Sequence, residues 1–232
     1  MRRLPASLLG AVFALLLVLP AAAAEPVFPD SYHVRLPMRL DQGGEPQCVV
    51  FAGSLALGSI LGGEYSTVDA WRYLVRRGEA SSLGTMPNYY LDYAKNVGVL
   101  PVTRKADRIY RAWRQPDKSA KGFHYERRWS NRPARYGGPR VRITDYVRVD
   151  DNDPYALQAA ILQYGPLLVT LAWDTAWDST RLDGTMRPPT GNIRGIHEIV
   201  IFGYKHINGV LYWDVANSYG EFWGYKGVGF MA

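Results

Sequence analysis

The sequence predicts an α+β protein in which helices come first and a β-sheet second. Helical patterns lie between Cys48 and Gly98, and strand patterns follow Gly137. Helices and strands that are segregated in this way favour two packed lobes over alternating βαβ units. The 232 residues can bury a core without disulfides, and the chain contains a single cysteine.

The N-terminus has the three zones of a secretory signal peptide. Met1-Arg2-Arg3 precedes the apolar stretch Leu8 to Leu19 and the small residues Ala21 to Ala24. We expect cleavage after Ala24, with residues 1–24 as signal and 25–232 as the mature domain. The apolar stretch is too short to span a bilayer. We therefore expect an exported, periplasmic or secreted protein without a transmembrane anchor.

Three helices are predicted in the first lobe, at about residues 41–136. An apolar segment with many small residues runs from Cys48 to Gly63 and predicts a buried central helix. Ser66 is the expected N-cap of a helix over Thr67 to Arg77. A third helix is predicted from Pro87 to Gly98, because proline is favoured in the first turn and glycine after the last.

The second lobe, at about residues 137–232, is expected to contain most of the sheet. Asp153 caps a predicted helix that ends at Tyr164, and an apolar strand follows it. The predicted strands are Val141 to Val149, Leu167 to Trp173, Glu198 to Tyr204, Val210 to Val215 and Val228 to Met231. Lys205 to Gly209 is expected to join the strands Glu198 to Tyr204 and Val210 to Val215 as a hairpin.

The stretch from Arg104 to Arg142 is strongly basic. It holds 13 Lys or Arg against three acidic residues, a charge of +10 within a chain of +6. Such a stretch could bind an anionic envelope polymer; alternatively it is a solvated face whose arginine stems cover aromatic side chains. No nucleic-acid-binding motif accompanies the charge, so we expect no nucleic-acid partner. We interpret Arg104 to Tyr136 as a long crossing loop with at most one short helix.

Cys48 is the first candidate for chemistry, because an exported lone cysteine cannot form a disulfide within its chain. The alternatives are a small buried side chain or a thiol that links two chains. A helix that starts at or just before Cys48 would direct unpaired N–H groups and its dipole at the sulfur, which predicts a lowered thiol pKa.

His197 and Asn217 are the candidates for a base and for the group that orients it. His197 opens one strand and Asn217 closes the next strand of the predicted hairpin. The start of one antiparallel strand lies beside the end of its partner, so the two side chains can meet. A thiol nucleophile needs such a base, an orienting group and donors for an oxyanion.

The chain resembles the papain-like cysteine peptidases over nearly all of its mature length. The resemblance is carried by Asp41-Gln42-Gly43 with Cys48-Val49-Val50-Phe51-Ala52, by His197-Glu198-Ile199-Val200-Ile201-Phe202-Gly203-Tyr204, and by Asn217-Ser218-Tyr219-Gly220 with Trp223-Gly224. It implies a bacterial-type, exported member without a pro-segment and with a papain-like two-lobe fold. It also implies a nucleophile at Cys48, a base at His197, an orienting Asn217 and an oxyanion donor at Gln42.

The resemblance also indicates substrate-binding residues. Gly84 is the candidate for pairing with the substrate backbone, and Tyr219 replaces the tryptophan that shields the His–Asn pair in the family. Glu198 stands where the family has a small residue at the pocket for the second side chain before the cut. It is expected to favour Arg or Lys there, unless it faces solvent or is neutralised by Arg194.

The leading functional expectation is an exported thiol peptidase with a Cys48 acyl-enzyme. The alternatives are an amidase or transpeptidase acting on cell-wall peptides or isopeptide links, and a non-catalytic binding module on the same fold. The expected partners are a peptide or protein substrate and an inhibitor that restrains activity. We expect neither cofactor nor metal, because His33, His124 and His206 lack metal-ligand spacing.

Overall fold

The computed structural model describes residues 28–37, 40–104, 113–114, 123–124, 135–150, 152–181 and 183–232. Its helices are α1 Cys48–Leu61, α2 Thr67–Arg76, α3 Pro87–Asn96 and α4 Pro154–Tyr164, with a 3₁₀ turn at Thr175–Trp177. Its strands are β1 Ser31–His33, β2 Ala80–Ser81, β3 Gly84–Thr85, β4 Val102–Arg104, β5 Trp113–Arg114, β6 Phe123–His124, β7 Arg135–Tyr136, β8 Leu167–Asp174, β9 Ile193–Ile207, β10 Val210–Ala216 and β11 Val228–Met231. The predicted α+β class, helices first and sheet second, is confirmed.

The helix α1 is the central element of the fold. It is buried on every side from Val49 to Gly58, as expected for an apolar helix without a polar face. Gly53 lets α3 approach closely, since a Cβ at this position would lie 2.2 Å from a ring carbon of Tyr90. The Tyr90 hydroxyl is 3.1 Å from the Ser54 hydroxyl, which fixes the ring against the helix.

The predicted caps start the other helices. The Ser66 hydroxyl accepts a hydrogen bond from the Asp69 N–H at 3.0 Å at the start of α2. Asp153 accepts from the Tyr155 N–H at 2.9 Å at the start of α4. These two helices and α3 therefore begin where the sequence places them.

The main sheet is antiparallel and is organised around β9. The strand order is β1-β9-β10-β11, and β8 also pairs with β9. The first half of β9 pairs with β8, so that Leu171 lies opposite His197 and Thr170 opposite Glu198. Its second half pairs with β10 through the predicted hairpin, whose turn is Asn208-Gly209. This register determines which side chains of β8 and β10 flank the start of β9.

The strand predicted at Val141 to Val149 is wrong. Val141 forms an isolated bridge with Val99, and no strand follows it within residues 142–149. Val141 and Ile143 instead pack on the helical core. Beyond Ile143 the segment is largely exposed, with Val147 65% exposed, and it forms no ladder of backbone hydrogen bonds with a neighbouring strand.

The basic stretch lies largely outside the described residues, and so does the residue set proposed to bind an anionic polymer. Its described backbone includes the two-stranded pairs β4 with β7 and β5 with β6, where the sequence predicted a loop. At its C-terminal end, Arg140 forms an ion pair with Asp69 at 2.8 Å and donates to the Gly98 carbonyl. This arginine therefore ties the chain to α2 and α3.

Three core clusters connect the helices and the sheet. One lies among the helices around Trp71, and one lies within the sheet around Trp173. In the third, Phe51 and Leu55 of α1 pack against Val200 of the sheet. The helix α1 thus lies between the two layers. None of the described helices is long and apolar enough to cross a membrane.

Candidate active site

A cleft of about 580 Å³ lies between the start of α1 and the first half of β9. One wall is formed by residues 42–49 and 82–87, and the other by residues of β8, β9 and the segment after β10. Cys48, His197, Gln42, Gly84, Glu198 and Tyr219 all line it. The structure therefore brings six of the seven predicted site residues to one cleft, and the seventh, Asn217, lies directly behind His197.

Cys48 is the first residue of α1, as predicted, and it is half-buried. Burial raises the pKa of its thiol above the usual 9.0, and the carboxyl of Glu198 raises it further. The backbone N–H groups of Glu198, Val49 and Cys48 oppose this shift without cancelling it. The predicted lowering of the thiol pKa is wrong, because loss of solvent outweighs the donors at the start of the helix.

His197 and Asn217 meet as the hairpin geometry predicts. The Nε2 atom of His197 is 2.8 Å from the Oδ1 atom of Asn217, and both side chains are buried. Asn217 Oδ1 also accepts the Ser218 N–H at 2.8 Å, which fixes the orientation of the amide. An oxygen acceptor at Nε2 requires that this nitrogen carries a proton, so Nδ1 of the neutral ring is the basic atom.

Two aromatic rings enclose the imidazole. The ring centroids of Trp173 and Tyr219 lie 4.7 and 5.0 Å from that of His197. This burial lowers the pKa of His197 below its usual 6.5, and the charge of Arg194 lowers it further, although the hydrogen bond that the ring donates to Asn217 opposes the shift. The imidazole is therefore neutral at pH 7 and can accept a proton.

An ion pair supports this aromatic wall from the side of the 3₁₀ turn. The Asp178 carboxylate accepts the Trp173 indole N–H at 2.9 Å and pairs with Arg194 at 2.8 Å. Arg194 is thereby directed at Asp178 and not at Glu198. Asp178 could not be identified from the sequence, because its contacts depend on how the loop after β8 folds back.

Gln42 connects the first wall of the cleft to the segment after Asn217. Its backbone N–H donates to the Ser218 carbonyl at 2.8 Å, and its side-chain oxygen accepts a hydrogen bond from the Ser218 hydroxyl. The side-chain amide donates to the Glu45 carbonyl at 2.6 Å. One of its two amide hydrogens is bound by this contact, and the second can serve a ligand at the cleft.

Glu198 is 1% exposed although it lines the cleft. Its Oε2 atom accepts a hydrogen bond from the Thr170 hydroxyl, whereas its Oε1 atom is buried and has no hydrogen-bond partner. Burial raises the pKa of this carboxyl to about 7. Neither alternative interpretation of Glu198, exposure to solvent or neutralisation by Arg194, agrees with these contacts. Thr170 was missed because only the β8–β9 register places it beside Glu198.

Gly84 lies in β3, on the wall opposite His197. Its φ of +105° is a conformation that side chains rarely adopt, and a Cβ here would be 3.4 Å from the Pro46 carbonyl oxygen. The short β2–β3 hairpin thus brings backbone to the cleft surface. Backbone at this surface can pair with an extended peptide.

The arrangement has the components of nucleophilic acyl chemistry. A thiol, an imidazole with an orienting amide, and N–H donors from a helix start and a glutamine converge on one cleft. The thiol can attack a carbonyl carbon, the imidazole can carry the proton, and the donors can receive the negative oxygen.

Comparison with protein families agrees with this geometry. The model of the papain family cysteine proteases matches residues 70–232. The match includes His197 and Asn217, whereas Cys48 and Gln42 lie before it and are placed by the fold alone. A cathepsin B-like cysteine proteinase of Schistosoma japonicum is 38% identical over 78 residues, which cover 33% of this chain and 22% of the relative.

Solved structures show the same fold. The chain is similar to xylellain, a cysteine protease from Xylella fastidiosa, with a TM-score of 0.64 at 20% identity, covering 88% of this chain and 80% of that one. It is also similar to digestive procathepsin L 3 of Tenebrio molitor larval midgut, with a TM-score of 0.66 at 19% identity, covering 92% and 67%. The fold is thus papain-like, and from the family match over residues 70–232 the chain belongs to the papain family of cysteine proteases.

Proposed function

We propose that this protein is an exported thiol peptidase that hydrolyses peptide bonds through an acyl-enzyme on Cys48. The observation that supports it most directly is the His197–Asn217 pair at 2.8 Å in the same cleft as Cys48 at the start of α1.

In the first half of the reaction, the Cys48 sulfur attacks the carbonyl carbon of the scissile bond. His197 takes the thiol proton at Nδ1, because Nε2 is engaged by Asn217. The same proton then passes to the departing amine as the C–N bond breaks. The products of this step are a thioester on Cys48 and a free amine.

In the second half, a water molecule attacks the thioester. His197 accepts a proton from the water as the oxygen bonds to the carbonyl carbon, and it returns a proton to the departing sulfur. The acid is released and the thiol is restored. Asn217 keeps the ring in one orientation through both proton transfers.

The negative oxygen formed in each half needs donors that are already in position. The Cys48 N–H at the start of α1 is one candidate, and the second amide hydrogen of Gln42 is the other. The contacts of Gln42 with Ser218 and Glu45 hold its amide in place, so little reorganisation is needed when charge develops.

The proposed export rests on residues 1–24, with the charged start, apolar stretch and small residues of a signal peptide. N-terminal sequencing of the protein recovered outside the cytoplasm tests this part. A mature N-terminus at Glu25 is expected, and a protein that keeps Met1 inside the cell would contradict it.

Labelling with an epoxide thiol trap tests the nucleophile and its base. Because Cys48 is the only cysteine, mass spectrometry reports on a single site. We expect faster labelling of the native than of the denatured protein, loss of this acceleration in His197→Ala, and no loss in the matched control His206→Ala, which removes an exposed histidine. Hydrolysis of a fluorogenic peptide library should follow the same order. Equal labelling of native and denatured protein, with no peptide cleaved, would contradict the proposed activity.

A further inference from the structure

Arg194 is a positively charged residue of the cleft wall, beside the imidazole. Gly195 and Ile193 pair with consecutive residues of β8, so Arg194 between them is an extra residue of β9. A β-bulge of this kind redirects a side chain, and Arg194 lines the cleft. Besides burial, its charge lowers the pKa of His197, so the guanidinium lies within electrostatic reach of the catalytic ring.

The guanidinium of Arg194 is held in place and is still open to a ligand. Its Nη1 atom is 2.8 Å from the Asp178 carboxylate, which also accepts the Trp173 indole N–H. A guanidinium has five N–H donors, and the Arg194 side chain is 58% exposed, so other donors can be reached from the cleft. Asp178 thus fixes the direction of the planar group without using all of its donors.

The position of Arg194 indicates which part of a substrate it meets. In the proposed reaction the departing amine takes its proton from His197, so the residues after the cut lie along the wall that carries the imidazole. Burial raises the pKa of Tyr219 to about 12 and the charge of Arg194 opposes this rise, so the guanidinium also lies near that hydroxyl. Tyr219 packs against His197 on the same wall, whereas Gly84 lies on the opposite one.

The charge of this wall can be assigned to one residue. Among the described residues that line the cleft, Arg194 is the only lysine or arginine. The anionic group that a peptide can offer to it is a carboxylate, either on an acidic side chain or at a free C-terminus. Both are planar, and a guanidinium can bind either one through two parallel hydrogen bonds.

We propose that Arg194 recognises a carboxylate in the part of the substrate that follows the scissile bond. This inference rests on the proposed peptidase function and adds a preferred substrate class to it, namely peptides with an acidic residue or a free C-terminus shortly after the cut. Arg194 is therefore a specificity-determining residue, and it takes no part in the proton transfers.

The test compares substrates that differ only in charge. Internally quenched fluorogenic peptides carry glutamate or the isosteric glutamine at the first, second or third position after the cut, with an amidated C-terminus. We expect kcat/KM to favour glutamate by about 5- to 20-fold at one position, as for a charge-assisted hydrogen bond at a partly exposed site. In Arg194→Gln this preference should disappear. A change in the base cancels from the ratio, because His197 serves both peptides.

A second set of peptides separates the two sources of the carboxylate. These peptides contain glutamine in place of glutamate, end one, two or three residues after the cut, and carry a free or an amidated C-terminus. Preference for the free acid would identify the terminal carboxylate as the ligand of Arg194. Preference for glutamate in the amidated peptides would identify the side chain.

Two variants serve as controls. Arg187→Gln removes an exposed arginine of the same lobe that does not line the cleft, so loss of the preference in this variant would overturn the assignment to Arg194. Arg194→Lys keeps the charge without the planar group and should retain part of the preference. Thermal melts verify that each variant is folded.

Binding separates a failure of the inference from a failure of the peptidase function. Equal cleavage of glutamate and glutamine peptides, and of acid and amide termini, would overturn the inference and leave the peptidase function intact. Peptide binding to Cys48→Ala, measured by fluorescence anisotropy, reports on selectivity without chemistry. No cleavage by wild type, with a carboxylate preference in binding that Arg194→Gln removes, would overturn the peptidase function and support the inference. No cleavage with equal binding would overturn both.

Discussion

The Nε2 atom of His197 lies 2.8 Å from Oδ1 of Asn217, across the strand pair β9–β10. His197 lines the cleft with Asn217 behind it, and Trp173 and Tyr219 shield the imidazole from solvent. An amide in this position fixes the ring without adding a negative charge. Asn217 therefore holds the imidazole in one orientation, while the pKa of His197 is set mainly by burial.

Replacing Asn217 should reduce turnover more than substrate binding. In Asn217→Ala we expect kcat to fall about 10- to 100-fold with KM little changed, because a hydrogen bond to an imidazolium stabilises the transition state by about 1.5–3 kcal/mol. The measurement is steady-state hydrolysis of a fluorogenic peptide. The control Asn192→Ala removes an exposed asparagine before β9. Equal effects of the two variants on kcat would show that Asn217 does not orient the base.

The pH profile of kcat/KM should be bell-shaped and broad on a substrate without titratable groups. Burial lowers the pKa of His197 below 6.5 and raises that of Cys48 above 9.0. Reaction requires that the pair holds one proton, so rates should fall below pH 6.5 as a second proton binds, and above pH 9 as the only proton is lost. The two apparent pKa values that bound the profile belong to the coupled pair of Cys48 and His197 and not to either residue alone. An alkaline limb below pH 9, or an acid limb above pH 6.5, would contradict this.

Glu198 should destabilise the folded protein as the pH rises. Its pKa increases from 4.5 to about 7 on folding, so the folded state holds the proton more tightly. Protonation of Glu198 stabilises the folded state fully below pH 4.5, and this stabilisation is lost as the pH rises through 7. The free energy of unfolding lost in this way is about 3 kcal/mol. The free energy of unfolding of Glu198→Gln relative to wild type should therefore increase from pH 4.5 to pH 8.

Urea denaturation at several pH values measures this difference. Glu221→Gln is a suitable control because it removes an exposed carboxylate from the same lobe. A Glu198→Gln difference that stays constant from pH 4.5 to pH 8 would show that the carboxyl is not desolvated.

Gly53→Ala should destabilise the protein through overpacking. The new methyl group would lie 2.2 Å from the Tyr90 ring, so α1 and α3 must move apart, at a cost of about 1–3 kcal/mol. Gly137→Ala is the matched control, since nothing lies within 4 Å of its Cβ. The melting temperature and kcat should both fall in Gly53→Ala and stay unchanged in Gly137→Ala. A variant as stable and active as wild type would contradict the close packing.

Local signals in the sequence predicted most of the fold. Ser66 and Asp153 mark helix starts through hydrogen bonds to nearby N–H groups, so the prediction needed no tertiary information. The strand predicted at Val141 to Val149 was wrong because alternating residue types show neither what a side chain packs against nor whether it is buried, and Val147 is 65% exposed. Here Val141 and Ile143 contact helices. Arg140 and its ion pair with Asp69 hold the segment there.

The site was predictable where one hairpin brings residues together, as for His197 and Asn217. Thr170 was not, because it reaches Glu198 only through the register between β8 and β9, which join across a long loop. The thiol pKa was also predicted with the wrong sign, since the helix start is visible in a sequence and the depth of burial is not. Pairings across loops and solvent exposure require the folded chain.

The order of these parts along the chain has a consequence for biosynthesis. The sulfur and the helix that carries it are synthesised first, whereas the imidazole and its supporting amide follow much later with β9 and β10. A nascent chain whose residues 193–217 have not yet been synthesised carries the Cys48 thiol but lacks the imidazole of His197. The thiol and the imidazole can therefore meet only after β9 and β10 have been synthesised.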